Sequence, residues 1–104
     1  MLTFVELPVF SKARAVYLDD DEFAAMQSYL IEHPNAGDVI PGSSGCRKLR
    51  WTAEGRGKRG GLRVIYFARL ANGQIVLVTL YAKNVVENIK PATLRALKET
   101  FDGY

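Results

Sequence analysis

One stretch of the sequence decides the fold, and it reads Leu62-Arg-Val-Ile-Tyr-Phe-Ala-Arg-Leu-Ala-Asn-Gly-Gln-Ile-Val-Leu-Val-Thr-Leu-Tyr-Ala82. Both halves are rich in the β-branched and aromatic residues that favour strands. Ala71-Asn72-Gly73 lies between them, and Asn-Gly is a strong hairpin signal. The stretch therefore predicts two long antiparallel strands, at residues 62–70 and 74–82.

The length of the connecting loop decides which side chains share a face of this hairpin. A two-residue Asn-Gly turn, which the sequence alone slightly favours, would place Arg63 and Tyr81 on opposite faces, because side chains alternate along a strand. A three-residue loop, with Gly73 in the left-handed conformation, instead pairs Leu70 with Gln74. Arg63 then lies opposite Tyr81, and a β-bulge would restore the same register. We predict the three-residue loop, because the anion-binding surface described below requires both side chains on one face.

The sequence around the hairpin predicts an α+β domain of the order β-α-α-β-β-β-α, with an antiparallel sheet core and helices packed on one side. Strands are expected at residues 3–7 and 46–51, and helices at about 10–17, 20–33 and 91–101. Acidic residues at the start of the second helix complement its dipole. Its apolar stripe consists of Phe23, Met26, Leu30 and Ile31. The length of 104 residues predicts a single domain over residues 1–104.

Positive charge is concentrated in and before the hairpin. Residues 46–83 contain nine Lys or Arg and one acidic residue, a formal charge of +8, while the rest of the chain carries −5 and the whole +3. This distribution concentrates positive potential on one part of the surface and steers it towards a polyanion. Chance clustering on a solvated face is the alternative. The size of the imbalance favours an anion-binding role.

The segment Gly55-Arg-Gly-Lys-Arg-Gly-Gly61 interleaves glycine with cations. Glycine allows close approach of the backbone to a ligand, and the basic side chains neutralise phosphate, although a solvated hairpin loop would look similar. On the strands, cations alternate with aromatic residues, which suits unstacked RNA bases and their phosphates. The predicted RNA-binding residues are Arg47, Lys48, Arg50, Arg56, Arg59 and Arg69.

Several classes of protein do not fit the sequence. Gly57-Lys58-Arg59 is neither a nucleotide-hydrolase phosphate loop nor a dinucleotide fingerprint. His33 precedes a proline outside the basic region, and no metal-ligand spacing of His, Cys or Asp is present, so no cofactor is expected. A single cysteine, Cys46, fits a reducing compartment. With no secretory signal and no membrane-spanning stretch visible, we expect a cytoplasmic protein.

Several linked blocks of the sequence resemble the HigB branch of RelE-like toxins, in order along nearly the whole chain. They are His33-Pro34, Gly37-Asp-Val-Ile-Pro-Gly42, Gly45-Cys-Arg-Lys-Leu-Arg-Trp51, Gly57-Lys-Arg-Gly-Gly-Leu-Arg-Val-Ile-Tyr66 and Leu80-Tyr-Ala-Lys-Asn84. Ser44 and Cys46 stand where the family more usually has glycine and an aliphatic residue.

The resemblance implies a toxin of a bacterial toxin–antitoxin pair, neutralised by a helix-turn-helix antitoxin of the HigA kind. It also implies an mRNA interferase, an endoribonuclease that cleaves mRNA in the ribosomal A site and so inhibits translation. Family active sites carry basic and aromatic residues on the concave face of the sheet. The corresponding residues here are Lys58, Arg63, Tyr81 and Lys83.

The chemistry that this implies can be matched to residue types. Metal-independent RNA cleavage uses the 2′-OH as nucleophile and needs a base, a proton donor and cations for the phosphorane. Acid–base work would fall to Lys58, Lys83 or Tyr81, while the fork of Arg63 suits phosphate clamping. Such a site would depend on the ribosome to position its substrate. A ParE-like toxin acting on DNA gyrase and a non-catalytic RNA- or ribosome-binding module remain alternatives.

Overall fold

The computed structural model describes residues 2–52, 61–83 and 89–102. Within these ranges the elements are β1 (Thr3–Glu6), α1 (Pro8–Tyr17), α2 (Asp20–Glu32), β2 (Asp38–Val39), β3 (Arg47–Trp51), β4 (Leu62–Arg69), a 3-10 turn (Leu70–Asn72), β5 (Gln74–Ala82) and α3 (Pro91–Asp102). The strands form one sheet in the order β1-β5-β4-β3-β2. The neighbouring strands are antiparallel, except that β1 is parallel to β5. In the described ranges, no helix has the length and apolar character needed to cross a membrane.

The α+β class and the antiparallel sheet core are confirmed, and the ends of the predicted elements differ from the observed ones by at most two residues. The largest shift is at α1, which begins at Pro8 because proline fits the first turn of a helix. α2 begins with a capping box, in which the Glu22 N–H donates to Asp19 Oδ1 at 2.7 Å and the Asp19 N–H donates to Glu22 Oε1 at 3.0 Å. β2 was not predicted, because two residues are too few to show a periodicity.

The sheet separates two apolar clusters. The helical layer expected on one side of the sheet consists of α1 and α2, which pack over the even-numbered residues of β4. Their buried side chains are Phe10, Phe23, Met26 and Leu30. Ile31 was expected in the same stripe but is 50% exposed, because it lies on the flank of α2 beside Leu30.

The second cluster lies on the opposite face, where α3 packs against the odd-numbered residues of β4. Leu94 of α3 is buried there with Ile65, Phe67 and Tyr81. Leu97 and Phe101 of α3 pack against the same cluster. The side chains predicted to carry function therefore lie on the face of the sheet that α3 covers in part.

The loop of the β4–β5 hairpin differs from the prediction by one residue. Gly73 has the predicted left-handed conformation, with φ 67° and ψ 33°. However, Arg69 rather than Leu70 pairs with Gln74, so the predicted Leu70–Gln74 pair is wrong. The physical reason is the 3-10 turn, which the Gly73 N–H closes by donating to the Leu70 carbonyl at 3.0 Å.

A β-bulge restores the predicted register farther along the same hairpin. Tyr66 pairs with Leu77 and Ile65 pairs with Thr79, so Val78 is an extra residue in β5. Beyond it the ladder runs in the predicted register, and Arg63 pairs with Tyr81. The bulge, which the sequence allowed as the alternative to the longer loop, thus places Arg63 and Tyr81 on one face.

The side chains of Tyr66 and Arg47 connect the sheet to the loop after α2 by hydrogen bonds. The Tyr66 hydroxyl donates to the carbonyls of Pro34, at 3.1 Å, and Ala36. Arg47, its partner across the strands, donates to the carbonyls of Asn35 and Gly37 at 2.9 and 3.2 Å. Burial raises the pKa of Tyr66 to about 12, although nearby Arg47 acts in the opposite direction.

We expect Tyr66→Phe to destabilise the protein by about 1–3 kcal/mol, because two carbonyls lose their donor. The wild-type free energy of unfolding should also fall between about pH 10 and pH 12, since the unfolded tyrosine loses its proton first. The variant should lack that part of the decline. Urea denaturation from pH 7 to pH 12 measures both effects. Equal alkaline slopes for wild type and Tyr66→Phe would contradict the assignment.

Candidate active site

A row of three side chains crosses the sheet at the start of β4. Arg50 of β3 pairs with Arg63 of β4, and Arg63 pairs with Tyr81 of β5. Directly opposed residues project from the same face of a sheet, so two guanidinium groups and a phenol lie side by side. The guanidinium groups are permanent cations with several N–H donors each, which makes the row a candidate phosphate site.

Arg63 is held deep in this row, with only 8% of its surface exposed. Its Nη1 donates to the Leu62 carbonyl at 3.3 Å. Arg50 is exposed at the surface of the same row. A buried guanidinium fixed on a central strand is more rigid than one on a loop, which suits an orienting role.

The Tyr81 side chain is 7% exposed and packs within the cluster under α3. Burial raises the pKa of its hydroxyl, and the positive charge of Arg63 acts in the opposite direction. The hydroxyl is therefore protonated at neutral pH and can donate a hydrogen bond or a proton. The electrostatic effect of Arg63 on Tyr81 agrees with their positions on one face.

The ladder continues past β5 to Lys83. The Lys83 N–H donates to the Gly61 carbonyl at 3.4 Å, which extends the pairing by one residue beyond Leu62 and Ala82. Lys83 is exposed, in the turn that directly follows β5. The sheet therefore brings together Arg63 and Tyr81, and Lys83 follows two residues after Tyr81. The fourth predicted catalytic residue, Lys58, lies outside the described residues, as do Arg56 and Arg59.

A cavity of about 280 Å³ opens beside this row, between the sheet and the start of α3. Its apolar walls include Ile40, Ile65, Ile89 and Leu94, and Tyr81 contributes to its lining. Lys48 of β3 and Lys90, which immediately precedes α3, add two cations. Lys48 was predicted as an RNA-binding residue. Lys90 and the cavity were missed, because only the packing of α3 brings them to Tyr81.

The turn before β3 holds Ile40 at this cavity. Ser43 is buried, and its Oγ donates to the Ile40 carbonyl at 2.6 Å and accepts from the Cys46 N–H at 3.0 Å. The Ile40 N–H in turn donates to the Cys46 carbonyl at 2.8 Å. Ser44 has φ 65°, a conformation that glycine adopts without strain, which accounts for the glycine more usual at this position.

Arg69 and Arg47 are placed away from the row. Arg69 lies at the far end of β4, with Nη1 3.8 Å from Asp102 Oδ1 and its guanidinium 5.4 Å from the centroid of the Phe101 ring. These contacts join β4 to the end of α3. Arg47 projects towards the loop after α2, on the opposite face. A role of either arginine in RNA binding remains a prediction, but their contacts give both a structural role.

In the described parts of the chain, no three His, Cys, Asp or Glu side chains group as metal ligands would. The basic and phenolic groups of the row are hydrogen-bond donors and cations, which are suited to an anionic ligand.

One comparison with known proteins bears on this site. The family model described as "RelE toxin of RelE / RelB toxin-antitoxin system" matches residues 35–104. The match spans β2 to β5 and α3, and so includes the row, the cavity and the described cations around them.

Proposed function

The chain belongs to the RelE toxin family of toxin–antitoxin systems, and on this premise we propose that it is a ribosome-dependent endoribonuclease that cleaves mRNA and so inhibits translation. The observation that carries the proposal is the pairing of Arg63 with Tyr81 on one face of the sheet. This pairing joins a phosphate-binding cation to a proton-donating phenol at the point where the positive charge of the sequence is concentrated.

In the proposed reaction, the 2′-oxygen of one nucleotide attacks the adjacent phosphorus. The bond from phosphorus to the 5′-oxygen breaks, and a 2′,3′-cyclic phosphate results. The 2′-OH gives its proton to a base, and the leaving 5′-oxygen receives one from an acid. Arg63 and Arg50 bind the phosphate and stabilise the negative charge that develops on it.

Tyr81 is proposed as the acid, because its hydroxyl stays protonated when its pKa is raised. Lys58 and Lys83 are the proposed alternatives for the base. Lysine and tyrosine are inefficient acid–base groups at neutral pH, so the reaction depends on a substrate already held in reactive geometry. The decoding site of the ribosome would supply that geometry, which supports ribosome dependence.

The branch of the family, the antitoxin, the domain organisation and the cellular compartment are also part of the proposal. The sequence blocks described above favour the HigB branch and hence a helix-turn-helix antitoxin of the HigA kind as partner. We further propose that the chain forms one toxin domain and acts in the cytoplasm, where it meets translating ribosomes.

Mapping of mRNA 5′ ends after expression in a bacterium tests this function against its alternatives. New 5′ ends inside translated frames, absent from untranslated RNA, are expected. DNA damage without cleavage would favour a gyrase inhibitor, and growth inhibition with neither effect would favour a non-catalytic ribosome-binding module.

The purified protein should bind free RNA weakly and cleave it poorly. Binding should weaken steeply as salt increases, because neutralised phosphates release counterions. Electrophoretic mobility shifts over a salt series, with cleavage assays on the same RNA with and without translating ribosomes, measure both properties. Rapid multiple-turnover cleavage of naked RNA would contradict the dependence on the ribosome.

A further inference from the structure

We propose that the cavity between the sheet and α3 receives one unstacked nucleobase of the RNA, next to the phosphate held by Arg63. The inference rests on the proposed function and assigns a substrate site to it. The cavity lies directly beside the row, because Tyr81 belongs to both. A base that enters it therefore lies one nucleotide or less from the bound phosphate.

The size and lining of the cavity suit a single nucleobase. Its volume of about 280 Å³ is at the small end of ligand pockets and is adequate for a single nucleobase. The walls formed by Ile40, Ile65, Ile89 and Leu94 are apolar, and the faces of nucleobases are the least polar parts of RNA. Recognition of single-stranded RNA commonly relies on such unstacked bases.

The charge at the cavity distinguishes a nucleotide from an uncharged apolar ligand. Lys48 and Lys90 belong to different elements, yet both contribute to the lining. Each base of an RNA strand has a phosphate on either side, so cations beside an apolar pocket complement a nucleotide in an extended strand. An uncharged apolar ligand would leave these ammonium groups without a counterpart.

Ile40 offers a way to fill the cavity without changing its charge. It is partly buried and held by the Ser43 turn, whereas the preceding Val39 is 51% exposed and does not line the cavity. Ile40→Trp should occupy the space that a base would use. Val39→Trp is the matched control, since it adds the same side chain one residue away.

The test uses 2′-O-methyl trinucleotides, which cannot be cleaved by 2′-OH attack, and a matched trinucleotide that lacks its central base. Binding to the wild type and both variants is followed by NMR of the methyl groups of Ile65, Ile89 and Leu94, which line the cavity. Inorganic phosphate serves as the anion-only probe. Far-ultraviolet circular dichroism confirms that the variants fold.

The intact trinucleotide should shift these methyl signals, whereas the abasic one and phosphate should not. Ile40→Trp should weaken binding of the intact trinucleotide by about fivefold or more, the lower end of what one stacked base contributes. Val39→Trp should bind like the wild type. Equal binding of intact and abasic trinucleotides, or unchanged affinity of a folded Ile40→Trp variant, would overturn the proposal. Should Ile40→Trp not fold, the comparison of intact and abasic trinucleotides on wild type decides alone.

This test and the mapping of mRNA ends can fail separately. Cleavage of translated mRNA without base-dependent binding would overturn the nucleobase site and leave the ribonuclease function intact. Base-dependent binding at the cavity without cleavage of mRNA in cells would overturn the ribonuclease function instead.

Discussion

Replacement of Arg63 by alanine is expected to abolish toxicity and to lower the rate of ribosome-dependent mRNA cleavage by about a hundredfold or more. The reason is its place in the row, where a buried guanidinium is fixed between Arg50 and Tyr81. Removal of one preorganised donor to a developing oxyanion commonly costs about 10²–10³ in rate. Arg63→Lys should recover only part of the activity, because a lysine keeps the charge but loses the planar fork.

The matched control is Lys12→Ala, which removes the same charge from the exposed surface of α1. It should remain fully toxic. Because Arg63 is buried and hydrogen-bonded, Arg63→Ala is also expected to lower the free energy of unfolding by about 1–3 kcal/mol. Growth after induction, together with thermal unfolding of the purified variants, separates loss of activity from loss of fold. A folded Arg63→Ala variant that stays fully toxic would show that the phosphate clamp is wrongly assigned.

Tyr81→Phe should also lower the cleavage rate by about a hundredfold or more, the range expected when a general acid is lost. The change removes only the hydroxyl, so the aromatic packing under α3 is retained. Because the pKa of this hydroxyl is raised by burial, wild type should keep its activity as the pH rises to the alkaline limit of the assay.

Binding measurements distinguish this role from a structural one. Tyr81→Phe should bind the uncleavable trinucleotide within about twofold of wild type, because a ring that packs against a base needs no hydroxyl. The control is Tyr29→Phe. Tyr29 belongs to α2 and lies beside Trp51 on the opposite face of the sheet, so this variant should match wild type in both binding and cleavage. Full cleavage activity in Tyr81→Phe would show that another group acts as the acid, and Lys83 would be the first candidate.

The sequence predicts the hairpin and its site well because each residue of a strand has only two choices of face. On β3, simple alternation places Lys48 and Arg50 on one face and Leu49 and Trp51 on the other, as observed. The start of α2 and the left-handed conformation of Gly73 follow from equally local rules. The pairing at the loop does not, since a 3-10 turn and a bulge together give the register that one longer loop would give.

Features that depend on the packing of whole elements were not accessible from the sequence. The cavity exists because α3 packs on the face of β4 opposite to α1 and α2, and no local pattern encodes that choice. The same holds for Arg69. The sequence predicts an RNA-binding cation at this position of the strand, whereas the structure places its guanidinium 3.8 Å from the carboxylate of Asp102 in α3. The predicted contribution of Arg56, Lys58 and Arg59 falls outside the described residues and stays a prediction.

The bulge at Val78 has a consequence for how such a protein can evolve. It divides the hairpin into a half beside the loop, where β5 also pairs with β1, and a half that carries Arg63 and Tyr81. Each half has its own register, and the extra residue takes up the difference between them. In a regular ladder without the bulge, the register that pairs Arg69 with Gln74 would pair Arg63 with Leu80, and Arg63 and Tyr81 would project from opposite faces. In a strand of this length the bulge is therefore what keeps the two side chains together, so selection on the site also acts on the bulge.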